Sequence, residues 1–305
     1  MPKAVLRTAE CPQVSGALDD LRSYFGRTAG LRLEAGQACY AENRLSSLMQ
    51  ASEAANFSKL LGHLDPEGTG PLARELLEAL TCRETWFFRD RAPFDIFAEN
   101  LLPRLLQLRA PEQTLRIWSA GCSSGQEACS LAMQVDAALA AEPPRNVEII
   151  GTDISTSMID RAQQTTFSDT EIQQGLPVSA LLKYFGQLPL PASRPWQLRR
   201  PIARRMQFKT HNLLADASDL GRFDIIFCRN VLSQMHVGAQ RIVMSHLTAQ
   251  LADGGFLVLG QEEEPWCVAG SFVRKFSNAA IFERRSRAQG TGPATRHLRL
   301  VSNRT

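Results

Sequence analysis

Residues 115–127 read Leu115-Arg116-Ile117-Trp118-Ser119-Ala120-Gly121-Cys122-Ser123-Ser124-Gly125-Gln126-Glu127, and the fold class follows from this stretch. Leu115 to Trp118 is a short apolar run of strand type. Ser119 to Gly125 is a tight turn of small residues, and a helical pattern opens at Gln126 and Glu127. A strand that turns through glycines into a helix is the nucleotide-binding corner of an open α/β sheet. Glycine lets the backbone approach a ligand, which sits beyond the carboxyl end of the strand. No Lys follows the second glycine, so this is not a Walker phosphate loop. The Gly-x-x-x-Gly spacing is not the Gly-x-Gly-x-x-Gly of dinucleotide sites either. The helix opens on a carboxylate, Glu127, which would repel a pyrophosphate but suits a cationic ligand. That points to S-adenosylmethionine, with its ammonium and sulfonium.

The next apolar run, Val147-Glu148-Ile149-Ile150-Gly151-Thr152-Asp153, also ends in an acid. At the tip of a second strand such a residue accepts hydrogen bonds from ribose hydroxyls. Asp153 read alone serves equally as part of a helix cap beside Ser155 and Ser157. The glycine turn upstream favours ribose.

A chain of 305 residues suits two domains, or one domain with an appendage. A net charge of +3 and a pI near 8.5 set up no strong field for nucleic acid. No run approaches the ~18 apolar residues of a membrane span and the N-terminus has no signal-peptide core, so a cytoplasmic protein without membrane insertion is expected. Seven cysteines (11, 39, 82, 122, 129, 228 and 267) are scattered and odd in number. They make neither a zinc pair nor a disulfide framework, no metal is expected, and they read as small buried residues.

Residues 1–80 carry helical periodicity over Ala17–Phe25, Ala38–Met49, Phe57–Leu64 and Pro71–Leu80, which makes a small all-α N-terminal domain. Its Arg22, Arg27, Arg32 and Arg44 read as a solvated face. From residue 81 to 285 strand and helix alternate: helices over Gln126–Ala141, Thr156–Gln164 and Ala239–Leu251, and strands over Met206–His211, Phe223–Cys228 and Gly255–Leu259. Phe272–Phe276 and Ala279–Arg284 close the pattern as a hairpin. This alternation is that of a mainly parallel sheet covered on both faces. Residues 167–205 interrupt it with a helix over Ser179–Phe185 and a Pro-rich segment holding Trp196 and five arginines (194, 199, 200, 204 and 205), read as an inserted subdomain. The arginines suit a solvated face or a docking surface equally. Residues 286–305 have little to bury and read as a disordered tail.

Five blocks, in order, resemble one family. They are Glu84-Thr85-Trp86-Phe87-Phe88-Arg89-Asp90, Trp118 to Gly125, Gly151-Thr152-Asp153-Ile154, His211-Asn212-Leu213-Leu214, and Phe223-Asp224-Ile225-Ile226-Phe227-Cys228-Arg229-Asn230-Val231-Leu232. The chain is similar to the chemotaxis-receptor glutamate O-methyltransferases of bacteria, the CheR type, from about residue 20 to 285. The resemblance implies a Rossmann-like class I methyltransferase sheet with a small inserted subdomain, S-adenosylmethionine as cofactor, and S-adenosylhomocysteine as product. It implies a cytoplasmic chemoreceptor segment as partner, met by a monomer. Carried over by position, Thr85, Arg89, Gly121, Glu127, Asp153, Asn212, Leu213, Asn230 and Val231 surround the cofactor. Glu127 holds its ammonium, Asp153 its ribose, and Asn212 with Leu213 borders the adenine. Arg89 is also the expected catalytic residue, orienting the acceptor carboxylate. Phe87 and Phe88 read as core.

Departures from the family pattern stand at three places. Arg83 replaces an expected Asn, and Gln126 the first of a Glu pair. Ser233-Gln234-Met235-His236 stands where Ile-Tyr-Phe usually follows. These make the acceptor less certain than the cofactor. His236 reads as structural rather than as a base.

Overall fold

The computed structural model describes residues 12–33, 57–81, 84–140, 145–188 and 195–285. The expected helix over Ala38–Met49, the tail from 286, and Arg44, Arg83 and Arg194 lie outside them. No helix among the described residues is long and apolar enough to cross a membrane.

The chain divides into two units. One holds Met1–Cys82 with Gln234–His236, and the other holds Arg83–Ser233 with Val237–Thr305. In the first, helices span Pro12–Ala29, Phe57–Gly62 and Pro71–Leu80. The first runs on past Phe25, where the expected segment ended, and stops at Gly30, whose φ of 71° is the left-handed turn that ends a helix. Leu21, Phe25, Leu76 and Leu77 are buried. Gln234–His236 pairs with residues 30–32: Arg32 N–H donates to Gln234 O at 2.8 Å and His236 N–H to Gly30 O at 3.0 Å. The His236 ring nitrogen meets Gly26 O at 2.9 Å, the structural role expected of it.

The second unit is built on strands β1 (Leu115–Ala120), β2 (Val147–Asp153), β3 (Thr166–Phe167), β4 (Phe185–Gln187), β5 (Trp196–Leu198), β6 (Met206–Thr210), β7 (Phe223–Cys228), β8 (Leu251–Leu259), β9 (Phe272–Arg274) and β10 (Ile281–Arg284). Seven of them form one sheet in the order β6-β2-β1-β7-β8-β10-β9. The first five strands of that order are parallel, and β10 and β9 close it as the expected antiparallel hairpin. Chain order reverses at β1, which lies between β2 and β7, so a crevice opens at the carboxyl ends of these three strands. All six residues of β7 are buried, as a central strand covered on both faces requires.

Two helices, Ala92–Ile96 and Leu102–Leu108, precede β1 in a stretch to which no helix had been assigned. They are joined by a π-helical turn over Phe97–Leu101. Pro103 has no N–H to return to the preceding turn, which accounts for the wider winding there. Phe94 and Phe97 enter the core against Phe227. Between β2 and β6 the inserted stretch forms a second sheet, β3-β5-β4, antiparallel throughout. Phe87 is fully buried against Phe167 of β3 and Phe185 of β4, with ring centroids 4.9 and 5.7 Å away, so the Glu84–Asp90 segment is anchored on this sheet.

Candidate active site

The crevice is lined by turns that the backbone ties together. Gly121 and Cys122 N–H groups both donate to Thr152 O, at 2.7 and 2.9 Å, and Trp118 Nε1 donates to Thr152 Oγ1 at 2.9 Å. Gly121 has φ 80°, and a Cβ there would lie 2.4 Å from Val231 Cγ2. Only glycine fits between the turn after β1 and the turn after β7. Asp153 gathers three segments. Its carboxylate accepts Ser123 N–H at 2.9 Å and Ser155 N–H at 3.0 Å, while its backbone carbonyl accepts His211 N–H at 2.9 Å. Ser155, not Asp153, caps the next helix, accepting Met158 N–H at 3.3 Å. His211 leads into Asn212, whose Oδ1 accepts Leu214 N–H at 3.0 Å, and into the buried Leu213.

Glu127 is held on both oxygens. Ser119 Oγ donates to Oε1 at 2.7 Å, and Arg229 Nη1 to Oε2 at 3.1 Å. Arg229 directly follows β7, and its side chain is 2% exposed. Its Nη2 reaches Asp90 Oδ2 at 2.7 Å and the Arg89 carbonyl at 2.8 Å, and its guanidinium lies over the Phe94 ring. One cation thus links the carboxylate at the helix start with the Glu84–Asp90 segment. That segment is strained: Phe88, Asp90 and Arg91 all have positive φ, which side chains adopt only where the surroundings hold them. Phe88 N–H donates to Ser130 Oγ at 3.0 Å as a second anchor. Asp90 is therefore not the partner of Arg89. Arg89 lies 4.5 Å from the Trp86 ring centroid and donates to Glu84 O at 2.6 Å. It has no carboxylate partner among the described residues.

Of the residues singled out from the sequence, Gly121, Val231, Glu127, Asp153, Asn212, Leu213 and Asn230 lie on the crevice turns, with Arg89 joined to them through its carbonyl. No hydrogen bond among the described residues ties Thr85 to the group. Arg229 had been quoted inside a motif and given no role. Its signal was a charge set directly after the apolar run Ile225-Ile226-Phe227-Cys228. Gln126 is buried and spans Ser124 Oγ and Glu171 Oε1 as a structural amide.

Cys122 lies among these groups, yet burial, followed by the nearby charges of Asp153 and Glu127, pushes its thiol well above the usual range. It is a packed thiol and not a nucleophile. Cys129 and Cys228 are likewise buried and free, Cys267 is half-buried and free, and no metal-binding cluster occurs among the described residues. Two carboxylates at strand and helix ends, a glycine turn that closes on Val231, and no Lys suit a ligand with cationic and hydroxyl groups.

Residues 83–273 match the family model described as CheR methyltransferase, SAM binding domain. The chain belongs to the CheR methyltransferase family. Chemotaxis protein methyltransferase Cher2 of Pseudomonas putida is 30% identical over 254 residues, covering 82% of this chain and 91% of the relative. Chemotaxis protein methyltransferase 1 of Pseudomonas aeruginosa is 32% identical over 247 residues, covering 79% and 88%. A Vibrio cholerae relative, chemotaxis protein methyltransferase 2, is 31% identical over 258 residues, covering 84% and 88%. This CheR-family chain is thus a methyltransferase with S-adenosylmethionine as cofactor, on the sheet that its sequence implied.

Proposed function

We propose that the chain esterifies glutamate side chains on helical cytoplasmic segments of chemoreceptors, in chemotactic adaptation or related signalling. The relatives named above support the pathway, and one observation supports the acceptor. Arg89 has no carboxylate partner among the described residues, while its backbone sits one guanidinium away from Glu127. A guanidinium held by a carbonyl and a ring, with its charge not met by a carboxylate among the described residues, suits an anionic acceptor. Bound S-adenosylmethionine supplies the activated methyl group.

The residues do the rest by holding and excluding. Glu127 receives the ammonium group, and the Asp153 carboxylate, an acceptor at the tip of β2, receives ribose hydroxyls. Asn212 and Leu213 border the base, and Thr85, Gly121, Asn230 and Val231 complete the walls. A glutamate acceptor is ionised at neutral pH and needs no general base. Arg89 orients its carboxylate for in-line attack and moves no proton. Positioning of this kind contributes on the order of 7–11 kcal/mol in favourable cases.

We read residues 1–80 as a helical domain, 81–285 as the methyltransferase domain and 286–305 as a tail, in a cytoplasmic monomer. The test is transfer of label from methyl-labelled S-adenosylmethionine to chemoreceptor cytoplasmic fragments, followed by mild base. Label released as methanol supports a glutamate ester. Label that resists base, or appears only on a small acid or another protein, replaces the receptor-glutamate reading. Cofactor binding without transfer makes the chain a regulator, consistent with the departures at Arg83 and Ser233–His236.

A further inference from the structure

Glu263, on the loop after β8, stands in a run of three glutamates that reads as solvated charge, yet it is buried. Its Oε2 accepts Asn230 N–H at 2.9 Å and Gly260 N–H at 2.8 Å, and its Oε1 accepts Ser233 N–H at 2.9 Å. The carboxylate therefore clamps two turns that leave neighbouring parallel strands, β7 and β8, at the same end of the sheet. Three amide donors compensate a carboxylate withdrawn from water. The fit is close: a Cβ on Gly260 would lie 2.8 Å from Glu263 Oε2 and 3.0 Å from Asn230 N.

The clamped turn begins at Asn230, whose φ of 58° lies in the left-handed region that asparagine enters more readily than most residues. Next comes Val231, whose Cγ2 fills the space beside Gly121. Bonds and packing thus run from Glu263 through Asn230 and Val231 to the glycine turn. We propose that Glu263 is a positioning residue for S-adenosylmethionine, setting the Asn230–Val231 wall without touching the cofactor. This rests on the reading of Asn230 and Val231 as pocket residues.

Only a carboxylate suits the clamp, because a glutamine has one acceptor oxygen and would turn its own N–H groups toward backbone donors. Calorimetric titration of the full chain with S-adenosylmethionine tests this, since it returns affinity and binding-competent fraction separately. Glu263→Gln should raise Kd at least fivefold with stoichiometry near one. A purely structural role would lower the stoichiometry and leave Kd at the parent value, and that result overturns the proposal. So does an unchanged Kd at full stoichiometry. If Glu263→Gln does not fold, Gly260→Ala, which presses on Oε2 from the other side, is judged by the same two numbers. Val231→Phe is the companion variant. A raised Kd there with none in Glu263→Gln sinks this inference alone, whereas no change in either sinks the pocket reading with it.

Discussion

Replacing Arg229 with Met keeps an unbranched side chain in the core and removes the guanidinium that three groups share. The three losses are unequal. Asp90 is 33% exposed and rehydrates, so its ion pair is worth only about 0–1 kcal/mol. The Arg89 carbonyl lies on the same accessible segment. Glu127 is 12% exposed and would keep only Ser119 as a partner among the described residues. A hydrogen bond to a charged group contributes about 1.5–3 kcal/mol, and breaking a buried ion pair from one side costs about 3–5 kcal/mol. With Asp90 accessible, the lower end applies, ~3 kcal/mol.

At about 2–4 °C per kcal/mol for a domain of roughly this size, the melting midpoint should fall by roughly 6–12 °C. Urea denaturation of Arg229→Met, Glu127→Gln and the double variant separates the terms. An amide at 127 leaves no carboxylate stranded, so the double variant should be more stable than additivity allows by about 1.5–3 kcal/mol. Arg229→Met within about 0.5 kcal/mol of the parent, the range of an ordinary surface change, would refute the ion-pair account. So would strict additivity.

Asp153→Ala should weaken S-adenosylmethionine binding at least tenfold in calorimetry, because charge-assisted bonds are worth about 1.5–3 kcal/mol each and about 1.4 kcal/mol is tenfold. Unchanged affinity removes Asp153 from the site. Arg89→Ala should lower turnover far more than cofactor affinity, and a parallel loss of both would make Arg89 a cofactor ligand only. Arg199, Arg200 and Arg204 are exposed, whereas Arg205 is half-buried and lies 3.9 Å from Asp136. Changing the exposed three to Ser should raise the Michaelis constant for an acidic receptor segment and flatten its salt dependence, since screening acts over about 8–10 Å. Indifferent kinetics would make them a solvated face. Burial, then the neighbouring His246, holds His211 below its ordinary value of 6.5, against a smaller pull from Asp216. Between that lowered value and 6.5 the unfolded chain binds the extra proton. Stability is therefore full above pH 6.5 and is lost as pH falls from there. His211→Phe should flatten the melting profile over that window, and a parent-like slope would clear His211.

The helix Thr156–Gln164 and the strand Phe223–Cys228 occur with the bounds that their pattern gave, because each is specified locally. Ser155 caps the helix, and the apolar run Ile225-Ile226-Phe227-Cys228 marks the strand. Strand β8 was expected from Gly255 but begins at Leu251, running through Asp253-Gly254-Gly255, which reads as a turn. The register with β7 jumps from Phe223 opposite Leu251 to Ile225 opposite Phe256, so the turn residues, with Gly254 at φ 70°, are kept as a bulge inside the strand.

The local grammar of the chain was enough for the α/β class, the glycine turn, and the placing of Glu127 at a helix start and Asp153 at a strand tip, whereas the family came from the resemblance of five blocks. Spacing and residue type act over a few positions, and that is the range over which a strand, a turn and a cap are specified. The partners of those carboxylates were a tertiary matter. Arg229 stands 102 positions from Glu127 and 139 from Asp90, and Glu263 stands 33 from the amide of Asn230. Their role depends on which strand ends the sheet brings together and on how little water reaches them. A charge that looks solvated in the sequence becomes a clamp only when the fold buries it, because removal from water makes each remaining hydrogen bond decisive.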